Sequence, residues 1–472
     1  MSQPLIIQGG MGAAVSDWRL ARSVSQLGQL GVVSGTAIAV VLVRRLQLGD
    51  PGGEVRRALA QFPKPEVAER ICGEFFISGG KEHSAPFRAI PLPTMNPGRL
   101  AIDLMVAGAF VEVYLAREGH DGEVGINLLE KIQLPTLPTL FGAILAGVHY
   151  VLMGAGIPRT VPGALDLLAS GKAASLSLNV EGAEPGEEFV QTFDPTPYLP
   201  ENPEALIRPK FLAIVASATL AITLAKKSNG RVDGFVVEGE TAGGHNAPPR
   251  GPLQLSRTGE PVYGPRDVPD LDKIRALGLP FWLAGSYGRA GKLEEALRLG
   301  AAGIQVGTAF AFCDESGILP DLKQMSLLAS REHRARVFTD PLASPTGFPL
   351  KIAQLDGTLS DADFFAGRSR RACDLGYLRH LYRKPDGSVG YRCPAEQVAD
   401  YTEKGGVAEE TQGRKCVCNG LLATVGMGQT RAAGEVELPL VTAGNDFENI
   451  AQFLKPGAGS FTAAEVLEAI LS

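Results

Sequence analysis

The stretch Phe235-Val236-Val237-Glu238-Gly239-Glu240-Thr241-Ala242-Gly243-Gly244-His245-Asn246 joins a short apolar strand to a Gly-Gly turn that presents one histidine. Glycine allows positive φ angles and lets a flat ligand lie close to the backbone, while the strand anchors the turn. The pattern predicts a reactive site at the end of a strand, and His245 is the candidate catalytic group.

Similar apolar runs alternate with longer helical patterns over the first 313 residues, which is typical of successive βα units around a parallel sheet. One such helical pattern covers residues 292–299, with Gly300 placed to end the helix. We therefore predict an α/β fold, a TIM (β/α)8 barrel. Nine strand candidates are close to the eight that a closed barrel requires: residues 4–7, 31–34, 125–128, 150–153, 174–180, 211–216, 234–238, 280–284 and 303–306.

The chain has 472 residues, more than the roughly 250 of a simple barrel. We assign residues 1–335 to the barrel and residues 336–472 to an additional, mostly helical C-terminal region. The barrel carries a long insertion at about 45–123, which contains an amphipathic segment at 100–115. Because it exceeds an ordinary βα connection, we expect this insertion to reshape the substrate mouth.

Composition argues against several classes of function. Lys and Arg number 45 against 51 Asp and Glu, and no basic block is present, so nucleic acid is not an expected partner. The uncharged apolar stretch at residues 211–225 is 15 residues long, whereas a membrane span needs about 18 or more. The first twelve residues lack an export-signal pattern, so we expect a cytoplasmic protein with reduced cysteines.

Glycine-rich turns follow four of the strand candidates, at residues 8–12, 154–156, 285–288 and 307–308. Freed backbone amides at a helix start form an anion-binding nest, and in a barrel the loops after the last two strands are the usual phosphate site. Residues 285–286 and 307–308 fall at those loops. The alternative is that each glycine only closes a tight turn.

The motifs at residues 4–12, 124–127, 154–156, 238–245, 284–288 and 304–308 occur in the order seen in the flavin-dependent nitronate monooxygenases, formerly called 2-nitropropane dioxygenases. The chain resembles this family over roughly residues 1–315. The same set is similar to the FMN-dependent enoyl-acyl carrier protein reductases, which share the fold. The combination is specific for an FMN barrel and much less specific for the reaction.

The resemblance implies FMN at the carboxyl ends of the barrel strands, a small-molecule substrate and a homodimer. It implies catalysis by His245, isoalloxazine contacts from Gly10, Met11 and Asn127, and phosphate contacts from Gly285, Gly307 and Thr308. The neighbouring Gly243, Gly244 and Ser286 complete the expected cofactor site. Gln8 and Gln305, polar residues at strand ends, are secondary candidates for flavin or substrate contacts.

Three functions are compatible with these residues. The first is oxidation of alkyl nitronates with dioxygen. The alternative is reduction of an enoyl thioester, which would use NAD(P)H to reduce the flavin. A flavin-binding module without turnover is a third possibility, against which the intact Gly-Gly-His motif argues.

Four of the six cysteines lie in the C-terminal region: Cys373, Cys393, Cys416 and Cys418. Four thiolates can hold zinc or an iron–sulfur cluster. Because the spacing matches no strong motif, buried structural cysteines are the alternative. Nearby arginines at 368, 370, 371 and 379 would suit an acidic carrier or a carboxylate substrate, although a solvated helix face explains them equally well.

Overall fold

The computed structural model describes residues 3–199, 206–367, 373–431 and 434–472. Arg368, Arg370 and Arg371 therefore lie outside the described residues. Its strands are β1 (Ile6–Gln8), β2 (Gly31–Ser34), β3 (Val124–Leu129), β4 (Tyr150–Gly154), β5 (Ala174–Ser177), β6 (Val180–Glu181), β7 (Val190–Phe193), β8 (Lys210–Val215), β9 (Gly234–Glu238), β10 (Gly244–His245), β11 (Phe281–Ala284), β12 (Gly303–Val306), β13 (Val337–Asp340), β14 (Leu350–Ala353), β15 (His380–Arg383) and β16 (Val389–Arg392).

The α-helices alternate with these strands through the first part of the chain. They are α1 (Trp18–Gln26), α2 (Ile38–Gln47), α3 (Glu54–Leu59), α4 (Pro65–Phe75), α5 (Arg99–Arg117), α6 (Thr136–Leu145), α7 (Val161–Ala169), α8 (Ala218–Lys227), α9 (Leu271–Arg275), α10 (Lys292–Arg298), α11 (Thr308–Ala311), α12 (Pro320–Arg331), α13 (Ala362–Gly367), α14 (Val398–Glu403), α15 (Val417–Thr424) and α16 (Ala463–Leu471). Three 3₁₀ segments cover Thr196–Tyr198, Ala408–Thr411 and Asn445–Phe453.

Eight parallel strands form the predicted barrel in the order β1-β12-β11-β9-β8-β4-β3-β2. A parallel bridge between Ile7 and Leu30 brings the two ends of this sheet together. The fold class is therefore confirmed. The fifth strand candidate, residues 174–180, was wrong as a barrel strand, because β5 pairs antiparallel with β7 in a separate two-stranded sheet.

Alternate residues of the strands point to two different cores. Val236 and Trp282 belong to a small buried cluster inside the barrel, whereas their neighbours Phe235 and Phe281 pack in the large core beneath the helices. Because parallel strands in a barrel are buried on both faces, they read as continuous apolar runs in the sequence. This is why the barrel strands could be located so closely from sequence.

The insertion at 45–123 supplies part of the helical ring. Its long helix α5 covers the predicted amphipathic segment and packs against α1, α2 and α6. The buried face of α5 includes Leu104 and Phe110, which join the large core.

The C-terminal region packs on the barrel and contains strands as well as helices. Strand β14 pairs with both β13 and β10, and the 3₁₀ segment Asn445–Phe453 packs against α11 and α12. Phe447 contacts Phe312 of the barrel with ring centroids 5.2 Å apart. Across the described parts of the chain, none of the helices combines the length and the apolar character that a bilayer crossing requires.

Candidate functional site

An open cavity of about 1470 Å³, here called the first cavity, lies at the carboxyl ends of the barrel strands. Strand-end loops converge there, which explains why residues distant in sequence share one wall. All ten residues predicted for catalysis and cofactor binding line this cavity: Gly10, Met11, Asn127, Gly243, Gly244, His245, Gly285, Ser286, Gly307 and Thr308. Their individual roles remain predictions.

Close backbone approaches explain two of the glycines. A Cβ atom at Gly10 would lie 2.2 Å from the Cβ of Asn127, so any side chain there would displace Asn127. A Cβ atom at Gly243 would lie 2.6 Å from the carbonyl carbon of Ala443, in the C-terminal region. Both glycines therefore shape the wall of the first cavity by letting Asn127 and Ala443 pack directly against the backbone.

Polar atoms in this wall are available to a ligand. Gln305 lines the cavity at the end of β12, and its Oε1 atom is buried without a hydrogen-bond partner among the described residues. An orphaned acceptor of this kind calls for a donor from a bound group. Gln8 is not such a candidate, because its Oε1 accepts the Val32 N–H at 3.0 Å and its Nε2 donates to the Val32 carbonyl at 3.2 Å. Its side chain closes the seam between β1 and β2.

The turn after β11 has the expected conformation for an anion nest. Gly285 has φ 94° and Ser286 has φ 58°, a left-handed conformation that is uncommon for a residue with a side chain. The nest already has an acceptor nearby, however, since the Gly288 N–H donates to Oδ2 of Asp446 at 3.2 Å. Burial raises the pKa of Asp446. A carboxylate therefore stands beside the loop predicted to hold a phosphate.

Thr308, the other predicted phosphate ligand, also contacts the C-terminal region. Its Oγ1 accepts the Gly444 N–H at 2.9 Å. The hydroxyl proton of Thr308 remains free to be donated, since accepting a hydrogen bond does not use it.

His245 is held by the C-terminal region rather than by the barrel alone. It pairs with Leu350 in the β10–β14 ladder, and its Nε2 lies 2.7 Å from Oγ of Ser344. Burial lowers the pKa of His245 to about 4, so the imidazole is neutral at pH 7. The walls of the cavity desolvate the ring, which disfavours its charged form.

A second cavity of about 960 Å³ adjoins the first. Four residues line both cavities: Ala155, Ile214, Glu238 and His245. Burial raises the pKa of Glu238 to about 7. Glu238 belongs to the motif at residues 235–246, but the sequence did not indicate a role for it. The available signal was a carboxylate at the last position of an otherwise apolar strand.

The C-terminal region supplies a whole side of the first cavity, which the motifs did not reveal. Its contributions come from loops and helix starts: Leu350, Tyr377, Leu378, Val417, Cys418, Leu421, Thr442, Ala443, Gly444 and Asp446. By contrast, none of the described residues of the 45–123 insertion lines either cavity. The lining gives no support to the expectation that the insertion reshapes the mouth, and α5 takes a place in the helical ring.

The four C-terminal cysteines come together around a small separate cavity. A hydrogen bond with Cys393 lowers the pKa of Cys373 to about 7, whereas burial raises the pKa of Cys416 to about 11. Within the described residues, no group of three or more His, Cys, Asp or Glu side chains is placed to hold a metal ion. The expectation of zinc or an iron–sulfur cluster therefore finds no support.

Comparison with known proteins agrees with this geometry. The family model described as nitronate monooxygenase matches residues 198–341, which include β9, the Gly-Gly-His turn and both predicted phosphate loops. The resemblance is thus confirmed over these residues, and the protein is an FMN-dependent oxidoreductase. No curated protein matches the chain.

Three solved structures are similar to the chain at low identity. FabK from Thermotoga maritima has a TM-score of 0.48 and 16% identity, covering 100% of this chain and 92% of that one. Nitroalkane oxidase from Streptomyces ansochromogenes has a TM-score of 0.47 and 15% identity, with coverages of 99% and 94%. The enoyl reductase domain of MlnA from Bacillus amyloliquefaciens has a TM-score of 0.47 and 9% identity, with coverages of 98% and 92%. Similarity at this level does not bear on the reaction.

Proposed function

We propose that the protein oxidises alkyl nitronates with dioxygen, using FMN held in the first cavity. The observation that carries this proposal is the match of residues 198–341 to the nitronate monooxygenase family, together with the position of His245 in the cavity wall. FMN, when bound, supplies electron transfer between the substrate and dioxygen.

The cavity wall suits this cofactor in three respects. The glycines at positions 10, 243 and 285 line the cavity and bring backbone atoms to its surface. Asn127 and Gln305 offer amide groups to the polar edge of the ring. The Gly307-Thr308 turn offers a hydroxyl group and backbone N–H groups to the phosphate.

The chain itself would bind and orient the substrate beside the ring. His245, neutral at pH 7 because burial lowers its pKa to about 4, can donate one hydrogen bond to a nitronate oxygen without carrying a charge. Its contact with Ser344 fixes the ring orientation. Tyr377, Leu378 and Val417 of the C-terminal region narrow the cavity around the substrate.

The test is anaerobic mixing of the FMN-loaded protein with ethyl nitronate and, separately, with NADH and NADPH, while the flavin absorbance is followed. Loss of the oxidised flavin spectrum with the nitronate alone is the expected result. Rapid reduction by a nicotinamide, with no response to nitronate, would instead establish the enoyl thioester reductase alternative. A protein that takes up FMN but responds to neither would be a flavin-binding module.

A His245→Ala variant tests the role of the histidine. We expect it to retain FMN, because His245 is only one of many lining groups. We expect kcat/KM for ethyl nitronate to fall roughly 100-fold, because the variant loses a positioned polar group in the active site. Flavin fluorescence titration and oxygen consumption are the measurements. His333→Ala is the matched control, since His333 lines neither cavity. Unchanged turnover in the His245 variant would remove this assignment.

A further inference from the structure

Ser344 belongs to the C-terminal region and contacts the ring of His245. Its side chain is fully buried, and its Oγ lies 2.7 Å from Nε2 of His245. Two groups of Thr346 reach the same oxygen: the Thr346 N–H donates to it at 3.2 Å, and the Thr346 hydroxyl oxygen lies 2.8 Å away. Because Ser344 is shielded from solvent, its single hydroxyl group has to serve all three partners.

The hydrogen-bonding capacity of Ser344 is limited. A hydroxyl group has one proton to donate and two lone pairs with which to accept. The Thr346 N–H occupies one lone pair of Ser344 Oγ, which leaves one proton and one lone pair for Nε2 of His245 and the Thr346 hydroxyl group. Ser344 therefore donates to one of these two groups and accepts from the other. The direction of this chain decides which nitrogen of the neutral imidazole carries the proton.

The contacts of Thr346 favour one direction. Its Oγ1 already accepts the Phe348 N–H at 3.2 Å, and among the described residues the acceptor within reach of its hydroxyl proton is Ser344 Oγ. If Thr346 donates to Ser344 and Ser344 donates to His245, both hydroxyl protons have an acceptor. The opposite direction would leave the Thr346 proton without an acceptor inside the protein, which is unfavourable.

The other ring nitrogen of His245 remains for a ligand. Within the described part of the chain, Nδ1 has no hydrogen-bond partner, and unlike Oε1 of Gln305 it is not a fully buried unpartnered atom. The ring is half-buried and lines both cavities. Burial lowers the pKa of His245, so the imidazole is neutral and exists as one of its two tautomers.

We propose that Ser344 is a positioning residue that fixes His245 in the tautomer with the proton on Nδ1, so that the Nδ1–H group is the donor offered to a bound ligand. Nε2 accepts the hydrogen bond from Ser344, and Thr346 holds the Ser344 hydroxyl in the donating direction. This inference goes beyond the proposed function, because the tautomer is a property of the protein itself. Only its effect on turnover rests on that function.

The experiment is ¹H–¹⁵N NMR of the FMN-loaded protein with ¹⁵N-labelled histidine at pH 8. A protonated ring nitrogen and an unprotonated one have well-separated ¹⁵N chemical shifts, so the spectrum reports the tautomer directly. Signals missing from His245→Ala identify His245 among the six histidines. We expect a protonated Nδ1 and an unprotonated Nε2. A proton on Nε2, or an equal mixture of the two forms, would overturn the proposal.

Three variants test whether Ser344 fixes the tautomer. In Ser344→Ala the donor is lost, so we expect the signals of both ring nitrogens of His245 to move toward the average of the two tautomers. Thr346→Val leaves Ser344 with only Nε2 to donate to, and the wild-type tautomer should persist. Ser326→Ala, at an equally buried serine of α12, is the matched control and should also keep it. Unchanged His245 signals in Ser344→Ala would contradict the proposal. If this variant does not fold, the wild-type spectrum still decides the tautomer.

Turnover separates this inference from the proposed function. With ethyl nitronate, we expect Ser344→Ala to lose roughly tenfold in kcat/KM, because the ring loses its fixed tautomer and orientation. FMN affinity should not change, and Ser326→Ala should react at the wild-type rate. A wild-type rate in Ser344→Ala would refute the positioning role. If the wild type itself fails to oxidise the nitronate, the proposed function fails, whereas the NMR spectra still decide the tautomer.

Discussion

The first cavity has two walls of different origin, and they differ in how they are built. The wall from residues 1–335, the barrel wall, consists of glycine-rich turns that directly follow β1, β9, β11 and β12. The wall from residues 336–472, the C-terminal wall, consists of loop residues, the start of α15 and one residue of β14. The barrel wall offers backbone groups and amide side chains to a ligand, whereas the C-terminal wall adds apolar side chains and fixes His245. Under the proposed function, we expect cofactor binding and substrate selection to depend on separate parts of the chain.

The strongest test of this comparison is removal of the main anchor of the C-terminal wall. Phe447 is fully buried and contacts Phe312 of the barrel, so Phe447→Ala should lower the free energy of unfolding by about 3–5 kcal/mol. Urea unfolding followed by tryptophan fluorescence measures this, with both tryptophans, Trp18 and Trp282, in the barrel part. Phe364→Ala is the control, since that side chain is 51% exposed. An unchanged barrel transition would mean that the two walls fold independently.

A second test acts on the barrel wall. Gly10→Ala should weaken FMN binding about 5- to 150-fold, because overpacking against Asn127 costs about 1–3 kcal/mol. Fluorescence titration with FMN gives the affinity. Gly98→Ala is matched to it, since a Cβ atom there would meet nothing within 4 Å. If the two variants bind FMN with equal affinity, Asn127 moves aside without an energetic cost. The barrel wall would then be less rigid than the close contact at Gly10 suggests.

The smallest expected effect concerns the charge that the C-terminal wall places beside the predicted phosphate loop. Asp446→Asn keeps an acceptor for the Gly288 N–H but removes a negative charge, so FMN should bind roughly tenfold tighter, or ~1.4 kcal/mol. Riboflavin has no phosphate, and its affinity should not change. Asp272→Asn, at an exposed aspartate of α9, is the control. If riboflavin also binds more tightly to Asp446→Asn, the effect does not involve the phosphate, and the phosphate then lies away from Asp446.

The two walls also differ in how far the sequence could predict them. The barrel strands were located because burial on both faces makes them continuous apolar runs. The turns were located because glycine after a strand is typical of a tight turn or of a close approach to the backbone. His245 was singled out on the same grounds. These are local signals, which a single segment carries by itself.

The remaining features depend on contacts between distant segments. Ser344 and His245 are 99 positions apart in the sequence, and Asp446 and Gly288 are 158 positions apart. No sequence pattern at Ser344 or Asp446 indicates these hydrogen bonds. The lowered pKa of His245 depends on such contacts too, because the residues that desolvate its ring come from both the barrel and the C-terminal region. Glu238 was visible as a polar residue ending an apolar strand, but its position between two cavities was not.

Gly243 of the barrel packs closely against Ala443 of the C-terminal wall, and the two residues are synthesised at different times. A chain emerging from the ribosome completes β12 at Val306 well before Ala443 is synthesised. During that interval the first cavity lacks the side that the C-terminal wall later forms. If FMN binds there as proposed, we expect it to enter more readily before this wall has packed on the barrel.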